Sequence, residues 1–369
     1  MDVTIVVDAL GPQLSGIGRY TWELCRKVPL EPNIGRVGYF ANGTYLRGVD
    51  ALLKALSRTR TRPFNRLWRH FNKRHLNGTL VHAPNYFLPR EAETGIITVH
   101  DLSVFRHPET HPIDRIRAFE QHFENSLSRS LHVITDSETI RGELIVDFGL
   151  PENAVTSIPL GVAATFRPRV EAEINKQLAA LGVLPGHYAL CVSTFEPRKK
   201  VAELLRAWRE LPVRIQNSNP LVLAGAEGWL NESLHEQIRD GVTAGWLKYL
   251  GFVPEDELAA LYAGATLFLY PSIYEGFGLP PVEAMASGVP VIVANSSCLP
   301  EICGDAALYI DPDDIDGFSS AIAGALMDAE WRADARQRGL KRAARYQWQE
   351  CVKRTVQIYR QCNSSGASD

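Results

Sequence analysis

Two carboxylates eight positions apart, Glu275 and Glu283, stand in Leu267-Phe-Leu-Tyr-Pro-Ser-Ile-Tyr-Glu275-Gly-Phe-Gly-Leu-Pro-Pro-Val-Glu283-Ala-Met-Ala-Ser-Gly288-Val-Pro-Val-Ile-Val293. Flanking loop amides at a helix N-terminus, such a pair could grip a sugar and its phosphates together. The surrounding residues supply the elements this needs. Thr266 to Leu269 has the apolar character of a buried parallel strand. Gly276 and Gly278 punctuate a loop, and Pro280-Pro281 suit the first helical positions. Gly288 falls where a helix cap is expected, and Pro290 begins the next strand. Glu275 is thereby expected at the carboxyl end of a strand and Glu283 in the first turn of the following helix. Ligands bind at that edge of an open α/β sheet. The plain structural alternative for Glu283 is that it complements the helix dipole, which would contribute about 0.3–1 kcal/mol.

Three further groups could do chemistry. Arg198 and Lys199, in Glu-Pro-Arg-Lys-Lys200 after the strand Tyr188 to Val192, could neutralise a diphosphate as a leaving group departs. His100, in Val99-His100-Asp101-Leu102-Ser103, ends another strand and could donate to a substrate hydroxyl. His82 is a second strand-end histidine, for which packing or an acceptor contact is the expected role. Ser15-Gly16-Ile17-Gly18-Arg19 follows the first strand and opens a helix, so its backbone amides could approach an anion. That loop half-matches a dinucleotide fingerprint, without the third glycine and without an acid after the second strand. Asp311-Pro312-Asp313 reads as a surface turn.

Stepping outward, the first half alternates strands (Val3–Val7, Val37–Phe40, Leu80–Ala83, Gly95–Val99, Leu131–Thr135, Val155–Ile158) with helices. One of these, Ser137 to Phe148, has Ser137 as its expected N-cap and Gly149 at its end. After a polar linker around Gly161 to Arg169 the same rhythm restarts, so the pattern implies parallel βαβ units twice over. With 369 residues, 45% hydrophobic and 22% charged, two globular domains are expected. A net charge of -3 gives no global field to recruit nucleic acid. The chain opens on a strand without a basic-then-apolar leader, and no stretch approaches the ~20 apolar residues of a membrane span. A cytoplasmic location is therefore expected. Six scattered cysteines without paired spacing argue against a zinc site or a disulfide frame.

The phrase from Glu275 to Val291 resembles the Glu-x7-Glu signature of retaining glycosyltransferases of family 4. The resemblance implies an α/β GT-B fold, two Rossmann-like domains with parallel sheets facing across a cleft. It implies an acceptor domain over residues 1–168, completed by a returning C-terminal helix 348–362, and a donor domain over 169–347. The tail 363–369, small and polar, is expected to be disordered. By the same resemblance Glu275 lies against the donor sugar and Glu283 binds the nucleotide ribose, with Phe277, Gly278 and Leu279 near the sugar and diphosphate. Lys199 takes the family lysine's place at the diphosphate. Some relatives carry an arginine at the position of Ser193, and Arg198 is expected to substitute for it. His100 matches the family's active-site histidine. Gly16, Gly18 and Arg19 would line the cleft near the diphosphate and acceptor. Gly251-Phe252-Val253-Pro254 resembles the segment that holds the base by backbone contacts near Val253. No metal and no other cofactor is expected, the nucleotide sugar being a substrate.

The resulting expectation is a retaining hexosyltransferase of surface-polysaccharide assembly, most like mannosyl- or rhamnosyltransferases, moving a hexose (mannose or rhamnose favoured) from a nucleotide sugar (a GDP-sugar favoured) to a lipid-linked or oligosaccharide acceptor. Between Ala51 and Pro89 stand eight basic residues (Lys54, Arg58, Arg60, Arg62, Arg66, Arg69, Lys73, Arg74) and no acidic one. This suits an anionic membrane surface, where each cation near the surface contributes about 1 kcal/mol, the alternatives being a solvated basic face or a groove for an anionic acceptor glycan. Two alternatives are a non-catalytic sugar-nucleotide-binding protein and a Rossmann-type NAD(P) oxidoreductase using the Gly16 loop. The oxidoreductase leaves the Glu275/Glu283 unit unexplained.

Overall fold

Parallel strands linked by helices need both sheet faces covered, and a computed structural model of the chain meets that condition in two units. It describes residues 1–11, 16–48, 73–229 and 232–365. The first unit comprises Met1–Leu102, Asp114–Gly161 and Trp348–Asp369. Its strands are β1 (Val3–Val6), β2 (Val37–Ala41), β3 (Thr44–Arg47), β4 (Leu80–Ala83), β5 (Gly95–Val99), β6 (Ser130–Thr135) and β7 (Val155–Ser157), in the order β3-β2-β1-β4-β5-β6-β7. Every pairing is parallel except β2 with β3. That antiparallel hairpin was not among the expected elements. Its signal is Asn42-Gly43, both at positive φ (47° and 71°), the backbone that a two-residue primed turn requires.

The helix Glu138–Phe148 begins and ends as expected. Ser137 Oγ accepts from the Ile140 amide at 3.3 Å, and Gly149 closes it in the left-handed region. The last helix, Trp348–Ser365, belongs to the first unit although all of the second precedes it. Polar ties hold it there, among them Gln349 to Glu31 and Arg360 to the Pro32 carbonyl. Tyr359 OH lies 2.6 Å from His82 Nδ1, and Arg354 donates to the Ser157 carbonyl at 2.7 Å. His82 Nε2 meets Thr98 Oγ1 at 2.8 Å, and burial takes the imidazole pKa down to about 3, so the ring is a neutral packing and hydrogen-bonding group.

The second unit comprises Ser103–Ile113 and Val162–Gln347. Its strands β8 (Ala189–Val192), β9 (Leu221–Ala224), β10 (Leu247–Tyr249), β11 (Leu267–Tyr270), β12 (Val291–Ala294) and β13 (Ala307–Ile310) form an all-parallel sheet in the order β10-β9-β8-β11-β12-β13. The helix Val201–Arg209 places Val201, Leu204, Leu205 and Trp208 on one buried stripe, packed in one core with Cys191 and Leu269 of the sheet. Truncating Leu204 to alanine there would cost about 2–5 kcal/mol.

Several expectations need correction. Residues 103–113 and 162–168 group with the second unit, not the first. The C-terminal helix runs on to Ser365, past the expected start of a disordered tail at 363. Glu283 is the fifth residue of the helix Leu279–Ala286, so it sits beyond the first turn. The basic residues from Lys54 to Arg69 lie outside the described residues, whereas Lys73 pairs with Glu93 at 3.1 Å. Among the described residues no helix is long and apolar enough to cross a membrane. All six cysteines are free thiols.

Candidate active site

In the second unit, strand order reverses between β8 and β11, and the loops leaving their carboxyl ends lie side by side. An open α/β sheet binds its ligands at such a switch point. The loop after β8 turns through a short 3-10 segment, Pro197–Lys199, and Lys200 at φ 52° hands the chain to the helix Val201–Arg209. Arg198 and Lys199 are thereby turned inward and buried, which is unusual for cations unless they are paired.

Their partners come from the loop after β11. Lys199 Nζ contacts Glu275 Oε1 directly and stands 3.2 Å from Tyr270 OH, which itself donates to the same carboxylate oxygen at 2.7 Å. Arg198 bonds Glu196 through Nε at 3.0 Å and the Tyr274 carbonyl through Nη1 at 2.7 Å, and its Nη1 is 3.5 Å from Glu275 Oε2. Two acids and two bases thus neutralise one another in a buried cluster. Burial alone would push the Glu275 carboxyl up, but Lys199 and Arg198 outweigh it and hold it below the usual carboxylate range. Burial, reinforced by the neighbouring Glu275, keeps the Tyr270 phenol protonated well above its ordinary value.

Residue 275 is also clamped through its backbone. Ser297 Oγ accepts from the Glu275 amide at 3.3 Å and donates to the Glu275 carbonyl at 2.7 Å. Ser297 holds φ 51°, a strained position for a residue with a side chain and one that persists only where neighbours over-determine it. Beyond Glu275 the loop closes at Gly278, φ 89°, where a Cβ would approach Leu299 Cδ2 to 2.9 Å. Leu279 then starts the helix with Pro280-Pro281 in its first turn, and Phe277 packs edge-on against Tyr346. The helix ends on two bonds, Gly288 N to Met285 O and Val289 N to Ala284 O, both 3.0 Å. Glu283 is buried on this helix.

The remaining expected residues lie elsewhere. Val253 is buried in the loop after β10. In the first unit, Gly16 is the first residue of the helix Gly16–Lys27, which also carries a buried Gly18 and Arg19. His100 follows β5 in that unit and is buried. Its Nδ1 is 2.7 Å from Asp136 Oδ2 and its Nε2 is 2.8 Å from the Pro84 carbonyl. Both ring nitrogens therefore face acceptors. Burial disfavours the imidazolium, but Asp136 and the two hydrogen bonds outweigh it and raise the His100 pKa. The Asp136 carboxyl is itself pushed up by burial against the pull of His100, so the pair holds a shared proton past the pH where an ordinary imidazole loses it. Asp311-Pro312-Asp313 is a turn after β13 whose Asp313 pairs with Lys200 at 2.7 Å, and no group of residues suited to hold a metal occurs among the described residues.

Four residues of these clusters were not singled out from sequence: Glu196, Tyr270, Ser297 and Asp136. Tyr270 and Asp136 had a weak signal, each being a polar group at the carboxyl end of an apolar strand. Ser297 had none, since only the fold brings it to residue 275.

Known proteins resemble this chain at both levels. The family described as Glycosyl transferases group 1 matches residues 182–342. The O-antigen chain mannosyltransferase B of Escherichia coli is 35% identical over 98% of this chain and 100% of its own length. Among solved structures, WaaG, a glycosyltransferase involved in lipopolysaccharide biosynthesis, superposes with a TM-score of 0.75 at 14% identity, covering 96% of this chain and 99% of WaaG. Anabaena Alr3699/HepE in complex with UDP and glucose gives a TM-score of 0.75 at 18% identity, covering 99% of this chain and all of HepE.

Proposed function

Because the chain belongs to the glycosyl transferases group 1 family and has the GT-B fold, we propose that this glycosyltransferase moves mannose, with retention, from GDP-mannose to a growing surface polysaccharide. The buried Lys199–Glu275–Arg198 cluster at the β8/β11 switch point is the observation that carries the reading. Relatedness to an O-antigen chain mannosyltransferase over the whole length supports the choice of sugar.

In this reading the donor diphosphate lies against Lys199 and Arg198 and the amides of Phe277, Gly278 and Leu279, which meet it at a helix N-terminus. Val253 supports the base through its backbone, Glu283 holds the ribose, and Glu275 faces the sugar. The acceptor hydroxyl attacks the anomeric carbon on the face that the leaving group departs. The bond to the diphosphate oxygen breaks, and that phosphate takes the hydroxyl proton. The two cations stabilise the charge that develops there. In the first unit, Gly16, Gly18 and Arg19 open the helix after β1, whose amides suit an anionic group. His100 follows β5 with both ring nitrogens engaged, by Asp136 and the Pro84 carbonyl, so donating to a substrate hydroxyl requires it to give up the Pro84 bond. The reading needs no metal or other cofactor.

A thermal-shift series with GDP, UDP, ADP, TDP, CDP and NAD tests the donor. GDP is expected to give the largest shift, since a ligand at 100 times its dissociation constant adds about 2.7 kcal/mol of stability. Glu283→Ala should weaken GDP binding by about 1–3 kcal/mol, the worth of charge-assisted hydrogen bonds. Unchanged calorimetric affinity would remove Glu283 from the ribose.

The acid-free segment 54–74 is proposed to hold the enzyme to anionic lipid, close to a lipid-linked acceptor. Full-length protein should co-sediment with anionic vesicles and be released by Arg66→Glu/Arg69→Glu. A wild-type protein that stays in the supernatant would end that idea.

A further inference from the structure

We infer that Tyr270 is a positioning residue for Glu275, holding the carboxylate in place when Lys199 turns from it to the donor diphosphate. The inference rests on the donor reading above and adds to it a residue that lies outside the Glu275–Glu283 phrase. Two groups converge on one oxygen. Glu275 Oε1 takes the Lys199 ammonium and the Tyr270 hydroxyl, while the hydroxyl also stands 3.2 Å from Lys199 Nζ as an acceptor. The other oxygen, Oε2, has Arg198 at 3.5 Å, beyond good hydrogen-bond length. Oε1 thus carries both the Lys199 and the Tyr270 bonds.

A lysine cannot serve the diphosphate fully while its ammonium neutralises Glu275. If it turns outward, a buried carboxylate would be left short of donors, and such a group is costly. The Tyr270 O–H is the donor on Oε1 that stays behind, with the Ser272 hydroxyl and Arg198 as the carboxylate's other remaining partners. It cannot follow the ligand, because Tyr270 ends β11, is buried, and has its ring stacked near Phe268 with centroids 6.1 Å apart. It does not ionise at working pH, since burial and the adjacent carboxylate hold the phenol well above its ordinary value. The hydroxyl therefore lets Lys199 change partners without releasing Glu275.

Tyr270→Phe removes the hydroxyl and keeps the ring. With GDP-mannose and acceptor, kcat/KM should fall about 10- to 100-fold, the worth of a hydrogen bond to a charged group. The acidic limb of its pH profile should move up by about one pH unit, because the lost bond favoured the ionised carboxylate. Ligand-free protein gives a second readout. The depressed Glu275 pKa contributes stability above the unfolded value near 4.3 that is lost as pH falls through the folded value. In Tyr270→Phe that loss should begin at higher pH. Difluorotyrosine at 270, a stronger donor, should move both pH dependences the opposite way, and it carries the test if the phenylalanine variant does not fold. Wild-type protein that neither binds nor uses GDP-mannose would sink the donor reading, while the ligand-free titration would still judge Tyr270. Unchanged pH dependence of both activity and stability in these variants would overturn the inference.

Discussion

Glu275→Gln is expected to cut turnover by about 100- to 1,000-fold while donor binding is kept, the scale seen when a group stabilising a transition state is lost. The separation follows from the cluster's charge balance. Removing the carboxylate leaves Lys199 and Arg198 buried with Glu196 as the acid still bonded to Arg198, and breaking a buried ion pair costs about 3–5 kcal/mol. The ligand-free variant should therefore melt earlier than wild type. A nucleoside diphosphate brings the missing negative charge, so GDP should raise the melting temperature of the variant at least as much as that of wild type. Comparing single-turnover rates with GDP shifts on the same preparations checks both halves. Turnover within a few-fold of wild type, or parallel loss of GDP binding, would show that Glu275 serves the phosphates or the fold and not the transferring sugar.

Asp136→Asn should lower stability by about 3 kcal/mol near pH 6, with the gap from wild type closing toward pH 9. The sign follows from His100, whose folded pKa is raised above an unfolded value near 6.5. Its contribution is fully present below 6.5 and is lost as pH rises through the folded value. The other titratable groups around the ring do not change in that window in the same way. His82 stays neutral at a pKa of about 3, and the phenols of Tyr20 and Tyr86 ionise only far above it. Asp101, the remaining charged neighbour, favours the imidazolium and should blunt the effect without reversing it. Thermal melts from pH 5.5 to 9 provide the check. A wild-type curve that does not decline relative to the asparagine variant would mean that the pair holds no shared proton.

The sequence by itself determined the features encoded locally. Alternating apolar strands and helices specified two parallel α/β halves, since such strands must be covered on both faces. Ser137 and Gly149 marked the ends of their helix because cap chemistry depends on a few neighbouring residues. The loop and helix carrying Glu275 and Glu283 were legible for the same reason, although Glu283 proved to lie one turn further along. The two-residue turn at Asn42-Gly43 was equally local and went unread beside a short strand.

Only the tertiary structure decided which groups meet. Lys199 and Glu275 are 76 residues apart, and Tyr270 joins them only because β8 and β11 are neighbours where the strand order reverses. His100 finds Asp136 across the β5–β6 pairing, and that partner, with the Pro84 carbonyl, is what turns a strand-end histidine into a proton-holding pair. Such pairings escape sequence reading because a charge is costly to bury until the fold supplies its counter-ion, and the chain order does not say which strand will bring it.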